Sequence, residues 1–492
     1  MNILLIYPEF PDTFWSFRYA LEFVRKKAAL PPLGLLTVAS MLPTDWPRRL
    51  VDTNVCGLSQ GDLDWADCAF ISAMSIQRES ARLIIARCKK AGLRVVAGGP
   101  LFSDEHEQFQ DVDHFVLNEA ELTFPGFLKD FANNSLQRVY SSKQFADLHQ
   151  TPKPQWELLD IRRYSGMSVQ FSRGCPFNCD FCSVTAMLGH RVRIKTSQQI
   201  IAELDGLHAL GWRDNVFFVD DNFIGNKYFL KTDLLPALIA WRKKKRGMTF
   251  YTEASINLAD EESLMEMMVE AGFNKVFVGI ETPDDKCLSE CKKLQNKNRD
   301  LLEDVKRIQR AGLEVQAGFI VGFDHDHLSI FKRQIDFIQQ SGIVTAMVGL
   351  LQAFPGTQLY ERMEKEGRLC GASSGDNVDG TTNFQPAMER DVLQDGYKGI
   401  LKHIYSPKHF YHRIRTYLRN SGPNRARSPL QLSDIHALVL SFWRLGILGR
   451  ERFQYWRLLL STLFRRPRLL PEAVKLAIYG YHFRKICDLH VT

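Results

Sequence analysis

The sequence predicts an α/β protein built from a doubly wound N-terminal domain, a partial (β/α)6 barrel and an α-helical C-terminal domain. Three observations lead to this prediction. Short apolar runs alternate with helical patterns in two separate stretches, 492 residues exceed what one hydrophobic core accommodates, and residues 390–492 are helical, aromatic and basic. The predicted boundaries are 1–140 for the front domain, 141–165 for a linker, 166–375 for the barrel and 376–492 for the helical domain.

In the front domain, strand and helix patterns follow one another from the first residues. The predicted strands are Ile3–Tyr7, Arg49–Val55, Ala69–Ala73, Val95–Ala97 and His114–Leu117, and the predicted helices are Leu33–Leu42, Ser80–Ala91 and Phe124–Phe131. This alternation predicts an open, parallel, Rossmann-like sheet with helices on both faces. Such sheets bind ligands beyond the carboxyl ends of their strands, which here are the loops after Tyr7, Ala73 and Ala97.

A second alternation begins at Met167. The predicted strands are Ser168–Phe171, Val216–Val219, Thr249–Ala254, Lys275–Gly279, Glu314–Val321 and Thr345–Leu351, with helices such as Thr196–Leu210, Glu261–Ala271 and Arg299–Ala311 between them. Six strand–helix units predict a partial, TIM-like barrel. An open barrel of this kind leaves a lateral mouth through which a large substrate enters.

Composition and cysteine usage indicate an intracellular globular protein. Apolar residues make up 45% and charged residues 24%, and no apolar run reaches the roughly 18 residues of a membrane span. Met1–Pro8 is too short for a signal-peptide core, so the expected compartment is the cytoplasm. Seven of the ten cysteines are scattered, and three lie within eight residues, which in a reducing compartment points to metal binding.

The three clustered cysteines, Cys175, Cys179 and Cys182, have the spacing Cys-x3-Cys-x2-Cys directly after a predicted strand. Three thiolates do not complete a structural zinc site, and no fourth cysteine or histidine lies at zinc-finger spacing. On a 4Fe–4S cluster, three thiolates leave one iron open to a small ligand. This segment resembles the radical S-adenosylmethionine (SAM) superfamily, in which the open iron binds SAM and its cleavage gives a 5′-deoxyadenosyl radical. Phe181 matches the aromatic position of that motif.

The resemblance implies a SAM site at the ends of later barrel strands. Its predicted residues are Phe181, Asp220, Asp221, Asn222, Glu253, Glu281, Gly318 and Gly322. The Asp-Asp-Asn segment stands where the family binds the SAM amino group, Glu281 matches the residue on the ribose hydroxyls, and the glycines match a motif near the adenine. For Glu253, a structural salt bridge is an equal alternative to a role in the site, and the Asp-Asn segment is alternatively a solvated turn.

A doubly wound domain before such a barrel is similar to the cobalamin-binding branch of the superfamily, which includes hopanoid methylases and the anaerobic ring cyclase of chlorophyll synthesis. Pro31–Leu35 and Ala97–Pro100 are typical of this branch, and Glu119 and Glu121 stand where it has Gly-Glu-x-Glu, with Asn118 in place of the glycine. The resemblance implies that cobalamin contacts Ser72, Met74, Ser75, Gly98, Gly99, Pro100 and Glu119. No Asp-x-His-x-x-Gly motif is present, so no histidine ligand to cobalt is expected. For Met74, core packing is the alternative interpretation.

The net charge of +7 hides an asymmetry, because residues 401–492 contain 17 Lys and Arg against 4 Asp and Glu. Aromatic and arginine residues interleave here, for example at Trp443, Arg444, Arg452 and Phe453. Three interpretations compete: a structural helical cap, a surface that contacts an anionic membrane or a lipid substrate, and nucleic-acid binding. The last is the least favoured, since no RNA-binding module is visible. Peripheral contact with the inner membrane face is therefore one of the hypotheses.

The leading functional hypothesis is a cobalamin-dependent radical SAM methyltransferase that acts on an unactivated carbon, with a 4Fe–4S cluster, SAM and cobalamin as cofactors. The family further implies a flavodoxin or ferredoxin as electron donor. One alternative is a radical cyclase, oxidase or rearrangement enzyme without methyl transfer, and another is a cobalamin-binding sensor with a structural cluster. The aromatic stretch Phe10–Tyr19 indicates either a bulky apolar small-molecule substrate or domain packing. The sequence leaves the oligomeric state open.

Overall fold

The computed structural model describes residues 1–376, 378–422 and 432–490. Of the predicted helical domain, residues 377, 423–431 and 491–492 lie outside this description. The described chain forms a front α/β domain, an open barrel and a C-terminal helical domain. The predicted fold class is thus confirmed.

The front domain is a parallel six-stranded sheet of order β2-β1-β3-β4-β5-β6. Its strands are β1 Ile3–Tyr7, β2 Arg48–Asp52, β3 Cys68–Ser72, β4 Arg94–Gly98, β5 His114–Val116 and β6 Val139–Tyr140. Its helices are α1 Arg18–Leu21, α2 Leu33–Met41, α3 Gln60–Trp65, α4 Arg78–Lys90, α5 Pro100–Glu105 and α6 Ala120–Ala132. One core packs α3, α4 and α5 on one face and another packs α2 and α6 on the other, which explains why the central strands are apolar on both sides.

The second sheet has the order β14-β13-β12-β11-β10-β7, and all its strands are parallel. The strands of this region are β7 Met167–Val169, β8 Ser172–Arg173, β9 Arg193–Ile194, β10 Asn215–Phe218, β11 Thr249–Glu253, β12 Phe273–Glu281, β13 Glu314–Val321 and β14 Ala346–Leu350. The helices are α7 Ser183–Leu188, α8 Ser197–Ala209, α9 Lys227–Phe229, α10 Leu235–Lys244, α11 Glu262–Ala271, α12 Asp285–Glu290, α13 Leu301–Ala311, α14 Ser329–Ser341 and α15 Gln358–Lys365. The six parallel strands follow chain order without closing, as in a partial barrel.

The short strands β8 and β9 pair in antiparallel fashion and bracket residues 174–192. This hairpin was not predicted, because two-residue strands carry no periodic pattern. It begins where β7 ends early: the backbone N–H groups of Phe171 and Ser172 donate to the Asp220 carboxylate instead of extending β7. The predicted strand Ser168–Phe171 is therefore shorter in the structure.

The C-terminal helices are α16 Arg390–Tyr405, α17 Pro407–Asn420, α18 Leu432–Ser441, α19 Arg452–Arg465 and α20 Leu470–His490. They dock on the open barrel through buried polar contacts as well as apolar packing. The hydroxyl of Tyr405 donates to the carbonyl of Ala346 at 2.6 Å, and the fully buried Arg413 donates to the carbonyls of Ile404 and Val344. These bonds tie α16 and α17 to the last strand of the barrel.

The aromatic stretch near the N-terminus reaches across the barrel to α20. Phe14 stacks on Phe483 with ring centroids 4.2 Å apart, and His482 Nε2 donates to the carbonyl of Phe14 at 3.0 Å. This part of Phe10–Tyr19 therefore makes domain contacts, one of the two interpretations that the sequence left open.

A buried ion pair connects the end of the β8–β9 hairpin to helix α8. Lys195 Nζ lies 2.5 Å from Glu203 Oε1, and both side chains are almost wholly buried. Burial raises the pKa of Glu203, which the lysine opposes. Removing one partner of such a pair leaves an unpaired charge in the core.

We expect Lys195→Met to lower the free energy of unfolding by about 3 kcal/mol, since Glu203 loses its partner. Urea denaturation followed by circular dichroism measures this loss. Lys332→Met, which removes an exposed lysine paired with Asp336, is the control and should change stability by less than about 0.5 kcal/mol. Equal urea midpoints for the two variants would contradict the assignment, whereas the double change Lys195→Met/Glu203→Leu should recover most of the stability.

Candidate active site

The three clustered cysteines lie in the loop that β8 and β9 bracket. Gly174 opens this loop with a φ of +91°, and a Cβ there would stand 2.6 Å from the carbonyl oxygen of Arg191. Glycine is therefore required for the chain to turn into the loop. Cys175, Cys179 and Cys182 line one cavity of about 180 Å³, which we call the cysteine cavity.

Polar side chains from the segments after β10 and β12 face the thiols. Asn222 Nδ2 lies 4.0 Å from the sulfur of Cys175, and Gln295 Nε2 lies 3.7 Å from that of Cys179. Lys293 lines the same cavity, with its ammonium 2.6 Å from Glu281 Oε1. Burial alone would lower the pKa of Lys293, but the Glu281 carboxylate and the Cys179 thiol outweigh it and raise this pKa. The cavity thus holds a fixed positive charge beside the thiols.

Five of the eight predicted SAM residues line the cysteine cavity. They are Phe181, Asp221, Asn222, Glu253 and Glu281. Burial, with the nearby carboxylates of Asp221 and Asp220, raises the pKa of Glu253 to about 8. Glu281 has a φ of +63°, an uncommon conformation for a residue other than glycine, and it turns the end of β12 toward Lys293. These strand ends meet at one edge because all the strands are parallel.

The other three predicted SAM residues lie outside this cavity. The Asp220 carboxylate is fully buried and accepts hydrogen bonds from Phe171 and Ser172, so it fixes the turn that precedes the cysteine loop. A Cβ on Gly318 would stand 3.1 Å from the ring of Phe277, which lines the cavity. Gly322 has a φ of +107° in the turn that Asp326 closes by accepting from its N–H. Asp220 and Gly318 thus support the region of the cavity from behind, whereas Gly322 lies in a turn beside Leu351 and Leu393.

A larger cavity of about 490 Å³, the front cavity, lies at the carboxyl edge of the front sheet. Six of the seven predicted cobalamin residues line it: Ser72, Met74, Gly98, Gly99, Pro100 and Glu119. Met74 is 48% exposed there, so the alternative interpretation of core packing is wrong.

Two glycines shape the wall of the front cavity. A Cβ on Gly98 would stand 2.5 Å from the carbonyl oxygen of Val116, and one on Gly99 would stand 2.6 Å from Ser72 Oγ. Nearby, Asn118 has a φ of +62°, in the left-handed region that asparagine tolerates better than most residues. Asn118 therefore adopts the turn conformation that the glycine of Gly-Glu-x-Glu would adopt.

Ser75 and Glu119 are the two predicted cobalamin residues whose side chains are engaged elsewhere. Ser75 does not line the front cavity, and it packs instead beneath Gly375, where a Cβ would stand 3.2 Å from the Cβ of Ser75. The Glu119 carboxylate lies in the cavity wall but accepts hydrogen bonds from Arg173, Arg193 and the N–H of Ala146. Its acceptor capacity is therefore largely used within the protein.

Arg173 and Arg193 join the front domain to the cysteine loop. Arg173 Nη1 lies 2.8 Å from Glu119 and its Nη2 lies 2.9 Å from Glu121, while Arg193 Nη1 lies 2.8 Å from Glu119. We call these four residues the arginine clamp. Burial alone raises the pKa of Glu121, but Arg173 outweighs it and lowers this pKa, so the carboxylate stays charged. Because both arginines belong to the β8–β9 hairpin, the clamp sets the position of the cysteine loop against the front cavity.

The side chains that line the cysteine cavity have the donor and acceptor groups that a 4Fe–4S cluster with SAM requires. Within residues 1–376, 378–422 and 432–490, no group of three or more His, Cys, Asp or Glu side chains is arranged to hold a single metal ion. The three thiols surround a cavity instead, which suits a polynuclear cluster. Gln295 Oε1 is buried in the wall without a hydrogen-bond partner among the described residues, so a bound ligand with donor groups would satisfy it.

Sequence reasoning missed Lys293, Gln295 and Ser255, which all line the cysteine cavity. Lys293 and Gln295 follow a short helix after β12, where no motif marks them. The backbone N–H of Ser255 donates to Asn222 Oδ1 at 3.2 Å and so orients the amide toward Cys175. Only the folded topology brings these residues to the thiols.

Known proteins resemble this chain along nearly all of its length. Residues 169–338 match the radical SAM superfamily, and residues 357–492 match a domain of unknown function, DUF4070. A Synechocystis sp. protein named as an uncharacterized methyltransferase is 39% identical over 98% of this chain and 91% of its own length. The hopanoid C-2 methylase of Rhodopseudomonas palustris is 33% identical over 94% of this chain and 90% of its own length.

Solved structures share the fold. OxsB, a cobalamin-dependent SAM radical enzyme, matches 99% of this chain and 79% of its own with a TM-score of 0.62 and 14% identity. The methyltransferase TsrM from Kitasatospora setae matches 97% of this chain and 99% of its own with a TM-score of 0.60 and 14% identity. The superfamily match over residues 169–338 and the relative of 33% identity confirm the predicted radical SAM enzyme with a 4Fe–4S cluster and SAM, and this chain belongs to the radical SAM superfamily.

Proposed function

We propose that this protein is a cobalamin-dependent radical SAM methyltransferase that methylates an unactivated carbon of a bulky, apolar small molecule. One observation carries the proposal: the front cavity is lined by the strand ends of both sheets. Ser72 and Gly98 come from the front sheet, whereas Gln170 and Val219 follow β7 and β10 of the barrel. A cofactor held by the front domain would therefore face the barrel that holds the cluster.

The relatives support methyl transfer over other radical chemistry. Besides the hopanoid C-2 methylase, two bacteriochlorophyllide d methyltransferases of Chlorobaculum tepidum are 26% and 24% identical. The anaerobic magnesium-protoporphyrin IX monomethyl ester cyclase of Synechocystis sp. is 23% identical over 69% of this chain. A cyclase or oxidase therefore remains the second candidate, and a cobalamin-binding sensor is disfavoured by the complete cysteine cavity.

When bound, the cluster and SAM supply hydrogen-atom abstraction, and cobalamin supplies the methyl group. Cys175, Cys179 and Cys182 would hold three irons. Asn222, Gln295 and Lys293 would donate hydrogen bonds or positive charge to the sulfurs. Hydrogen bonds and charges next to the sulfurs set the reduction potential of iron–sulfur clusters. Reducing electrons would come from a donor of the flavodoxin or ferredoxin class.

The acidic residues of the cysteine cavity are suited to the donor groups of SAM. Asp221 and Glu253 would accept from its ammonium group, and Glu281 would accept from its ribose hydroxyls. In the front cavity, Met74, Gly99 and Pro100 would contact cobalamin, with backbone rather than bulky side chains forming the wall at the glycines. Phe181 and Phe277 would exclude water from the reacting atoms.

A second proposal concerns the surface of α18 and α19, where two apolar stripes have no partner among the described residues. On α18 the stripe is Leu432, Ile435 and Val439, and on α19 it is Phe453, Trp456, Leu460, Leu463 and Phe464. Each follows helical spacing, and Phe442 stacks on Trp456 to join them. We call these eight residues the apolar stripes.

We propose that the apolar stripes rest on an anionic membrane. Phe464 is 82% exposed and Phe453 is 74% exposed, while the surrounding segment is strongly basic. Helices that lie in the interface of an anionic membrane are typically rich in aromatic and arginine residues. No helix among the described residues is long and apolar enough to cross a bilayer. The contact would therefore be peripheral and would bring the enzyme to an apolar substrate.

Cys175→Ala, Cys179→Ala and Cys182→Ala should each lose cluster iron and the formation of 5′-deoxyadenosine from SAM, because each removes a cluster ligand. Iron analysis and chromatography of the SAM cleavage products, after anaerobic reconstitution, measure both. Cys370→Ala, at an exposed free thiol, should keep the iron and the activity of the unaltered protein. Full SAM cleavage by any of the three variants would contradict the cluster assignment.

SAM carrying a trideuterated methyl group should yield a product that contains that intact group, together with 5′-deoxyadenosine. Mass spectrometry of extracts from reduced reactions measures both products. A modified substrate without deuterium would favour the cyclase or oxidase candidate. An absence of 5′-deoxyadenosine under all reducing conditions would favour the sensor.

Phe453→Ser/Phe464→Ser should weaken binding to vesicles of mixed phosphatidylglycerol and phosphatidylcholine by at least about tenfold, because two large apolar side chains no longer enter the interface. Vesicle flotation measures the bound fraction. Leu83→Ser, at a 69% exposed leucine on the front domain, is the matched control and should bind normally. Binding that does not depend on the anionic lipid would contradict the proposal.

A further inference from the structure

The amino-terminal half of the barrel encloses another cavity, of about 420 Å³, which we call the lower chamber. Inward side chains of β10, β11, β12 and β13 form its walls, chiefly Phe217, Tyr251, Lys275 and Gln316. Glu253 and Phe277 line both this chamber and the cysteine cavity. A molecule in the lower chamber therefore lies next to the space assigned to SAM.

The far end of the chamber is closed by segments from outside the barrel. Trp15 and Phe17 come from the N-terminal stretch, and Lys475 and Tyr479 come from α20. The Trp15 ring meets that of Phe277 edge-on, with centroids 5.5 Å apart. The stretch Phe10–Tyr19 thus contributes to a cavity wall as well as to domain packing.

The chamber also reaches the first turn of α18, where Ser433 forms part of its lining. Leu432 and Ile435, on either side of that turn, belong to the apolar stripes and are exposed. The proposed membrane surface and the chamber therefore meet at the same helix, which gives an apolar molecule a short path between them.

The chamber walls favour a flat, apolar body. Phe217 and Tyr251 stack with centroids 4.6 Å apart and an interplanar angle of 8°, and together they form a flat aromatic wall. Trp15 and Phe277 add two further rings. Rings of this kind contribute large contact areas to apolar ligands.

Lys275 lies among these rings, in a lining whose other charged residues are Lys26, Asp214, Glu253, Asp434 and Lys475. Its side chain is 7% exposed, and its ammonium lies 4.6 Å from the centroid of the Tyr251 ring. Among the described residues it has no hydrogen-bond acceptor and no ion-pair partner. A buried ammonium has three donors to satisfy, so a ligand acceptor in the chamber would stabilise it.

The charges around Lys275 favour a neutral acceptor over an anion. Lys475 Nζ lies 2.7 Å from Glu472 and 3.6 Å from Glu314, so two lysines and two glutamates stand together with no net charge. Lys26, Asp214 and Asp434 on the other walls add one ammonium group and two carboxylates. An anionic ligand would add unbalanced negative charge to a buried volume, whereas a hydroxyl or carbonyl oxygen would not.

The electrostatics of Lys275 agree with this assignment. Burial, and then the Lys475 ammonium, lower the pKa of Lys275, while Glu314, Glu472 and Asp214 oppose the shift. The charged form is thus destabilised without a ligand.

We propose that the lower chamber binds the substrate, a flat, uncharged, polycyclic molecule with one oxygen that accepts a hydrogen bond from Lys275. Naming this ligand the substrate rests on the proposed function, but its binding does not. Lys275 is a specificity residue in this assignment, because it distinguishes an oxygen-bearing molecule from a hydrocarbon of the same shape.

Three matched fluorescent probes test the chamber in the reconstituted holoenzyme: 1-pyrenebutanol, 1-butylpyrene and 1-pyrenebutyrate. Fluorescence anisotropy should show that the unaltered protein binds the alcohol about ten times more tightly than the hydrocarbon, the effect of one hydrogen bond from a charged donor. In Lys275→Met the two affinities should be equal. Lys332→Met, which makes the same exchange at an 80% exposed side chain, should retain the difference, and Trp15→Ala should weaken the alcohol and the hydrocarbon alike.

Equal affinities for alcohol and hydrocarbon in the unaltered protein would overturn the proposal, and this comparison needs no variant. A preference that survives in Lys275→Met would overturn the role of Lys275, and tightest binding of the butyrate would overturn the neutral ligand. Binding is measured without turnover, so a protein that binds the alcohol but transfers no methyl group refutes the proposed function and not the chamber.

Discussion

Two arginines on the hairpin that brackets the cysteine loop reach across to two glutamates of the front domain. This arginine clamp is more than a surface contact, because the side chains of Glu119 and Glu121 are nearly buried. Glu121 accepts from two nitrogens of the Arg173 guanidinium, and Glu119 accepts from both arginines. The front cavity and the cysteine loop are consequently held in one arrangement. A cofactor in the front domain and a cluster in the cysteine loop can act on the same substrate only if the two sites keep a fixed position relative to each other.

The parallel strand order explains why residues far apart in sequence meet at the site. In both sheets the carboxyl ends of the strands share one edge, so loops after β1, β3 and β4 build the front cavity and loops after β10, β11 and β12 build the cysteine cavity. The amino-terminal halves of the same barrel strands form the lower chamber. One set of strands thus presents ligand groups at one end and an apolar pocket at the other.

Periodic apolar patterns predicted the regular elements well, and β1 and β13 have the predicted limits. The predicted second strand extends too far, because the chain turns at Asp52, which accepts from the N–H groups of Asn54 and Val55. The hairpin β8–β9 and strand β6 were missed, since two residues show no alternation. Side-chain hydrogen bonds and short pairings decide such details, and they arise from tertiary structure.

Motifs located the cysteine cavity but not its full lining. Asp220 and Asp221 are adjacent in sequence, yet Asp220 is hydrogen-bonded behind the wall whereas Asp221 lines the cavity. Nothing in the sequence separates them, because the assignment depends on which side of the strand end faces inward. Lys275 lacked a signal for the same reason: its neighbours Tyr251 and Lys475 come from a different strand and from the last helix.

The proposed methyl transfer requires that one chain hold both a cluster and cobalamin, and metal analysis measures both cofactors at once. After anaerobic purification and reconstitution with iron, sulfide and hydroxocobalamin, elemental analysis should find about four irons and one cobalt per chain. Iron without cobalt would contradict the proposed function, since the front cavity would then have no cofactor from which a methyl group could come.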